Sequence, residues 1–366
     1  MRICMLVEDY PPKLGGGGMF VNSIAKELAA DGERITVITP SYNGDSDRAE
    51  QTENKNCEIR VVRLGKRRIS YFFKGILTLL TEPKFDIYHA HGPLPGLMAK
   101  IVSFVKGGRT VLHIHGFREE NVIGKLKFMG QNAILKLGYD KIISVDSESA
   151  KRINEIGVPH DKVITIPCGV DTNLFVPLQG RKTNSVPVLL FVGRLEKVKG
   201  LNNLIDAIGI LKASGINVLA YLIGSGTMED ELMAEAKNKG LDNIKFIKSV
   251  KHDELPDWYN KADLFVLPSI SEGMPLVLLE AMACELPPVI SNIKSLKTIA
   301  EKSNAAITFE CGNAKSLAET IEEELDRTDS EKQKLKKNAR DFAVKNYSWG
   351  NTIRMIKKAY NEVVSR

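Results

Sequence analysis

Two glutamates, Glu272 and Glu280, close the ends of Glu272-Gly273-Met274-Pro275-Leu276-Val277-Leu278-Leu279-Glu280, a segment otherwise apolar or small. An ionised carboxylate only accepts hydrogen bonds, so a pair of them suits a ligand rich in hydroxyl donors. Gly273 and Pro275 predict a loop that turns into a helix near Pro275, because proline's fixed φ and missing N–H are tolerated there. The backbone amides of residues 274 to 277 are then expected to face outward, and a helix start of this kind attracts an anion. A diphosphate on those amides, with a sugar near Glu272 and a ribose near Glu280, fits the spacing. So does an ordinary solvated helix with two surface glutamates.

Further cationic and glycine positions belong with this pair. Arg194 and Lys199 follow an apolar run and share a loop with Gly193, so both charges are expected at a strand's carboxyl end, where they can offset a diphosphate or stand as surface charges. Gly15-Gly16-Gly17-Gly18 is a flexible turn through which backbone can approach a phosphate, although glycine turns are common. Gly224-Ser225-Gly226 matches a dinucleotide fingerprint only in part, since Glu229 stands where the third glycine belongs, and NAD is a poor reading. His89 and His91, like His113 and His115, stand two apart in strands and share a face. No neighbouring carboxylate or cysteine completes a ligand set, so no metal is expected. Asp45-Ser46-Asp47 lies in a polar loop and reads as solvated.

These residues need a frame of strands and helices. Arg2 to Val7, a glycine turn, a helix over Val21 to Ala30 and a strand over Arg34 to Thr39 open a doubly wound parallel sheet. Apolar runs at Ile59 to Leu64, Ile87 to His91, Thr110 to His115 and Lys141 to Val145 continue it. The polar stretch Val176 to Pro187 reads as a linker. Strands at Val188 to Val192, Asn217 to Ile223, Ile244 to Ile247, Leu264 to Leu267 and Pro288 to Ser291 then alternate with helices at Leu201 to Ala213, Met228 to Lys239 and Leu276 to Cys284. The expected fold class is α/β, with one Rossmann-like domain over residues 1–178 and another over 187–348.

At 366 residues, 43% hydrophobic and 26% charged, the chain suits two globular cores. No apolar run reaches the roughly 20 residues that span a bilayer, and the quickly acidic start is unlike a signal peptide, so the cytosol is expected. The five cysteines are scattered, which argues against disulfides or zinc. Arg60, Arg63, Lys66, Arg67, Arg68 and Lys74 interleave with Tyr71, Phe72, Phe73, Ile76, Leu77 and Leu80. Residues 60–80 can thus meet an anionic membrane or a lipid-linked substrate, or form an amphipathic helix packed on its own sheet. No nucleic-acid-binding motif accompanies the basic run, so nucleic acid ranks below lipid as a partner.

The segment from Leu267-Pro268-Ser269 to Glu280-Ala281-Met282-Ala283-Cys284 resembles the signature of retaining glycosyltransferases of family GT4. Phe191-Val192-Gly193-Arg194-Leu195 with Lys199-Gly200, and Pro167-Cys168-Gly169-Val170-Asp171 with Phe175, are similar to further motifs of that family. The resemblance implies the GT-B fold, two Rossmann-like domains facing a central cleft, with the helix over residues 349–366 crossing back to the first. It also implies a nucleoside-diphosphate-sugar donor, a glycan, lipid-linked or small-molecule acceptor on the first domain, and no cofactor or metal. By the same resemblance Arg194 and Lys199 stabilise the leaving group, Glu272 faces the donor sugar, and His115 hydrogen-bonds one of its hydroxyls. Glu280 holds the ribose, and Gly16, Gly17, Gly193, Gly273, Met274, Pro275 and Leu276 border the donor. Glu285 departs from the family, which commonly has glycine there. A nucleotide-sugar epimerase of the same fold and a non-catalytic sugar-nucleotide-binding protein remain alternatives.

Overall fold

A computed structural model describes residues 1–12, 16–41, 48–54, 57–115, 130–180 and 184–365. Asp45, Ser46 and Asp47, together with Gly15, lie outside the described residues. Packing divides the chain into two units, Met1–Cys168 with Gly350–Arg366, and Gly169–Trp349.

The first unit is built on strands β1 (Arg2–Val7), β2 (Arg34–Thr39), β3 (Arg48–Asn54), β4 (Cys57–Arg63), β5 (Ile87–His91), β6 (Arg109–Ile114), β7 (Lys141–Ser144) and β8 (Val163–Thr165). They pair in the order β3-β4-β2-β1-β5-β6-β7-β8. All neighbours run parallel except β3, which pairs antiparallel with β4 at the edge. The central strands are near-continuous apolar runs because helices cover both faces, as a parallel sheet requires. Strand β3, Arg-Ala-Glu-Gln-Thr-Glu-Asn, has no such run and was not anticipated from sequence. The glycine turn is also corrected: a helix spans Gly16–Ala30, so Gly16 and Gly17 lie in its first turn. A side chain at Gly18 would stand 2.8 Å from the Asp9 carbonyl oxygen, so this glycine serves a close backbone approach. The last helix, Trp349–Val364, packs with this unit: Ile353, Ile356, Ala359 and Tyr360 are buried, and Glu362 pairs with Lys141 at 2.9 Å.

The second unit carries β9 (Val188–Val192), β10 (Leu219–Ile223), β11 (Ile244–Ile247), β12 (Leu264–Leu267), β13 (Pro288–Ser291) and β14 (Ile307–Phe309), paired in parallel as β11-β10-β9-β12-β13-β14. The order reverses between β9 and β12, and ligands in such sheets gather at the carboxyl ends on either side of a reversal. The residues following those two strands are Gly193-Arg194 and Pro268-Ser269. The helix Leu276–Ala283 is apolar on almost every side, and six of its eight residues are buried, so it is an internal helix with Glu280 as its one charged residue. Arg340 holds its far end, donating to the Ala283 carbonyl at 2.6 Å and to those of Phe175 and Thr172. A cation there also opposes the negative end of the helix dipole. Glu285, just beyond, has φ 57, a left-handed conformation that costs a glycine least, which accounts for the family's preference.

Candidate functional site

At the reversal between β9 and β12 the chain is drawn together by backbone contacts that only glycine allows. Gly200 has φ 63, and a side chain there would fall 2.2 Å from the Pro268 carbonyl oxygen. The Ile270 amide donates to the Val198 carbonyl at 2.8 Å, tying the loop after β12 to the turn that carries Lys199. Gly224 is as tight: an added Cβ would lie 1.9 Å from the Gly193 oxygen. Gly226 meets the Leu195 carbonyl, so Gly224 and Gly226 serve backbone packing.

That packing delivers Lys199 to Glu272. Their charged atoms are 2.5 Å apart, and both side chains are largely buried. Ser269 donates its hydroxyl to the same carboxylate oxygen at 2.7 Å, and Ser295 donates to the Glu272 backbone carbonyl at 2.9 Å. Glu272 is therefore clamped in side chain and main chain, not solvated. Arg194 is exposed and its guanidinium has no partner among the described residues. Gly193 and Arg194 lie on the same loop, one and two residues beyond β9.

The helix begins at Leu276 with Pro275 as its extended N-cap. Pro275 has no N–H, so the amides available there are those of Met274, Leu276 and Val277, one fewer than sequence suggested. Gly273 and the half-buried Met274 join Glu272 to that helix start. Glu280 is 5% exposed. Its Oε2 accepts a hydrogen bond from the Tyr259 hydroxyl at 2.8 Å, and its Oε1 lies 3.0 Å from His252 Nε2. The hydrogen bond to Glu280 raises His252 above its ordinary pKa. Burial and the neighbouring carboxylate push Tyr259 well up, so it keeps its proton. Sequence reasoning named neither residue: a histidine and a tyrosine upstream carry no signal until the fold brings them to Glu280. Ser269, by contrast, stands within the quoted motif.

His115, Gly16 and Gly17 lie in the first unit. The two histidine pairs of the sequence form one cluster, because His91 and His113 face each other in the β5–β6 register. His91 Nδ1 lies 3.0 Å from His115 Nε2, and His89 Nδ1 lies 2.6 Å from the Tyr360 hydroxyl. Phe20 sets its edge against His113 and His115, both at 5.3 Å. Burial lowers the pKa of all four, His115 to about 4, so they are neutral at pH 7. The ring nitrogens of His89, His91 and His113 lie within 4.8 Å of one another, and no carboxylate or thiolate joins that group among the described residues. The rings of His89 and His113 lie 12° from parallel, those of His91 and His113 27°, and those of His89 and His91 38°.

The model for Glycosyl transferases group 1 matches residues 178–342, and that for Glycosyltransferase Family 4 matches residues 14–174. A D-inositol 3-phosphate glycosyltransferase of Paenarthrobacter aurescens is 24% identical, over 96% of this chain and 94% of its own length. Among solved structures, the sucrose-phosphate synthase of Thermosynechococcus elongatus superposes with a TM-score of 0.86 at 21% identity, covering 100% of this chain and 99% of that one. HepE of Anabaena in complex with UDP-glucose gives 0.77 at 19% identity, covering 100% and 99%.

Proposed function

Because the chain belongs to the group 1, family 4 glycosyltransferases, with the GT-B fold, we propose that it transfers a hexose-type sugar from a nucleoside-diphosphate donor with retention and without a metal. The observation that carries this reading is the pairing of Lys199 with a largely buried Glu272 in the loop just before the helix that contains Glu280. A uridine diphosphate donor has support from the neighbour solved with UDP-glucose. Arg194, Lys199 and the amides of Met274, Leu276 and Val277 receive the diphosphate; Glu272 accepts from the sugar hydroxyls, and Glu280 from the ribose. His115 serves as a neutral hydrogen-bonding group for a substrate hydroxyl. In the transfer, the bond from the anomeric carbon to the diphosphate oxygen breaks with its electron pair on that oxygen. The acceptor oxygen bonds to the same face of the carbon, and its proton passes to the departing phosphate.

Two cations and a helix start can offset the charge that a divalent ion neutralises elsewhere. Transfer is expected to proceed at full rate in EDTA and to give a product with the donor's anomeric configuration, read by proton NMR. A chelator-sensitive enzyme restored by manganese, or an inverted product, would overturn this part of the account.

The acceptor is proposed to be lipid-linked, met at the cytoplasmic face of a membrane. No helix among the described residues is long and apolar enough to cross a bilayer. The helix Arg68–Thr81 buries Tyr71, Gly75 and Leu79, whereas Ile69, Phe73 and Leu77 are 74, 61 and 64% exposed. The apolar stripe expected to pack on the sheet is thus partly an outer one. The neighbouring helix Pro93–Lys106 adds Phe104, 92% exposed. Arg60 and Arg68 are paired with Glu82 and Glu8, so the patch is more apolar than its sequence suggests. Vesicles containing anionic lipid should sediment the protein at low salt, and replacing Ile69, Phe73 and Leu77 with serine should release it. Wild-type protein left in the supernatant would contradict the contact.

A further inference from the structure

We propose that Tyr259 and His252 are positioning residues for nucleotide recognition, orienting the Glu280 carboxylate so that its two remaining acceptor sites receive the 2′- and 3′-hydroxyls of a ribose. This rests on the assignment of Glu280 to the ribose made above.

A carboxylate inside an apolar helix is costly to bury unless donors surround it. An ionised carboxylate offers about four lone-pair sites, two on each oxygen. Tyr259 takes one on Oε2 and His252 one on Oε1, at 2.8 and 3.0 Å. One site is left on each oxygen, and a vicinal diol presents two donors side by side. The donors are themselves held. Tyr259 is fully buried, and Phe175 sets an edge-on contact to both rings, at 5.8 Å to Tyr259 and 5.2 Å to His252. Phe175 in turn is fastened by its carbonyl to Arg340, which also grips the end of the Glu280 helix. Carboxylate, donors and wedge are thereby fixed to one another. His252 is 39% exposed in its side chain, so one of the two donors borders solvent while the carboxylate itself is almost enclosed.

A purely structural role for the two donors would affect stability and leave ligand choice alone. A positioning role is read in ligand choice. Calorimetric titration of the full-length protein with UDP and with ADP, each against its 2′,3′-dideoxy analogue, separates the two. Wild type is expected to prefer the ribose form about 10-fold or more, given the strength of hydrogen bonds to a charged acceptor. Tyr259→Phe and His252→Leu should each cut that preference to about 3-fold or less, on the same grounds, while leaving affinity for the dideoxy form unchanged. His252→Gln, which keeps an N–H near the place of Nε2, should restore the preference. If wild type discriminates and both variants discriminate equally well, the positioning role is wrong while Glu280 keeps the ribose. If wild type itself binds the two forms equally, the ribose assignment fails and the inference fails with it. Thermal melts of the variants at pH 7 identify any loss of folding, and in that case Tyr259→Phe, which keeps the buried ring, decides the matter.

Discussion

Lowering the pH from 6.5 toward 5 should destabilise the first unit by several kcal/mol, about 1 kcal/mol per histidine per pH unit and a large share of an ordinary domain's stability. His89, His91 and His113 are buried side by side, and burial holds each below its ordinary pKa, His89 at about 3. In the unfolded chain all three titrate near 6.5. Between those limits the unfolded state binds protons that the folded state refuses, so stability is complete above about pH 6.5 and falls as the pH drops. Each group contributes up to about 2.303RT per pH unit across that window, and the three act together with the neighbouring His115, which burial holds at about 4. His252 in the second unit has the opposite sign. Its pKa is raised by Glu280, so its contribution is present below the unfolded value and is lost as the pH rises through the folded one. Hydrogen-exchange mass spectrometry from pH 7.5 to 4.5 should show β5 and β6 losing protection first. Equal protection of β5 and β6 at pH 7 and pH 5 would show that the cluster is not buried neutral.

Replacing Lys199 with alanine should lower the rate of transfer by a factor of about 10² to 10³, the loss that follows removal of one fixed group facing charge developed in the transition state. Glu272→Gln should act similarly on turnover, because the neutral amide no longer pairs with Lys199 and its NH2 cannot accept from a sugar hydroxyl. Glu280→Ala differs: it should weaken nucleotide binding, with the donors Tyr259 and His252 left facing a void. Steady-state kinetics separates these, since the first two lower kcat and the third raises KM. Full activity in Lys199→Ala would remove the leaving-group role from the account.

Much of this arrangement was readable from residue types. Strands such as Val-Leu-Leu-Phe-Val over Val188–Val192 are buried on both faces and so appear as unbroken apolar runs with clear ends. The helix Leu276–Ala283 was announced by Pro275 and its apolar run. Three strands escaped notice for physical reasons: β3 is polar and lies at an edge, and β8 and β14 have only three residues each. A glycine run favours a turn because glycine is a poor helix former, yet Gly18 is required by the approach of Asp9. Glu272 and Glu280 were legible as a pair, but their environments were not. Lys199, Ser269, Tyr259 and His252 reach them through strand order and backbone contact, and only the first two carry a local motif. The histidines were seen as two pairs, since the register that joins β5 to β6 is a tertiary fact.

The second unit is expected to bind a nucleoside diphosphate and its sugar through Arg194, Lys199, Glu272 and Glu280. Thermal unfolding in EDTA against UDP, ADP, GDP and their glucose conjugates reads that binding, with the matching nucleosides as controls. At 100 times its dissociation constant a ligand of the folded state stabilises by about 2.7 kcal/mol. A shift of that order is expected for at least one diphosphate and its sugar, with little for the nucleoside, and Glu280→Ala should lose it. A shift that persists unchanged in Glu280→Ala, or none with any nucleoside diphosphate, would contradict this assignment.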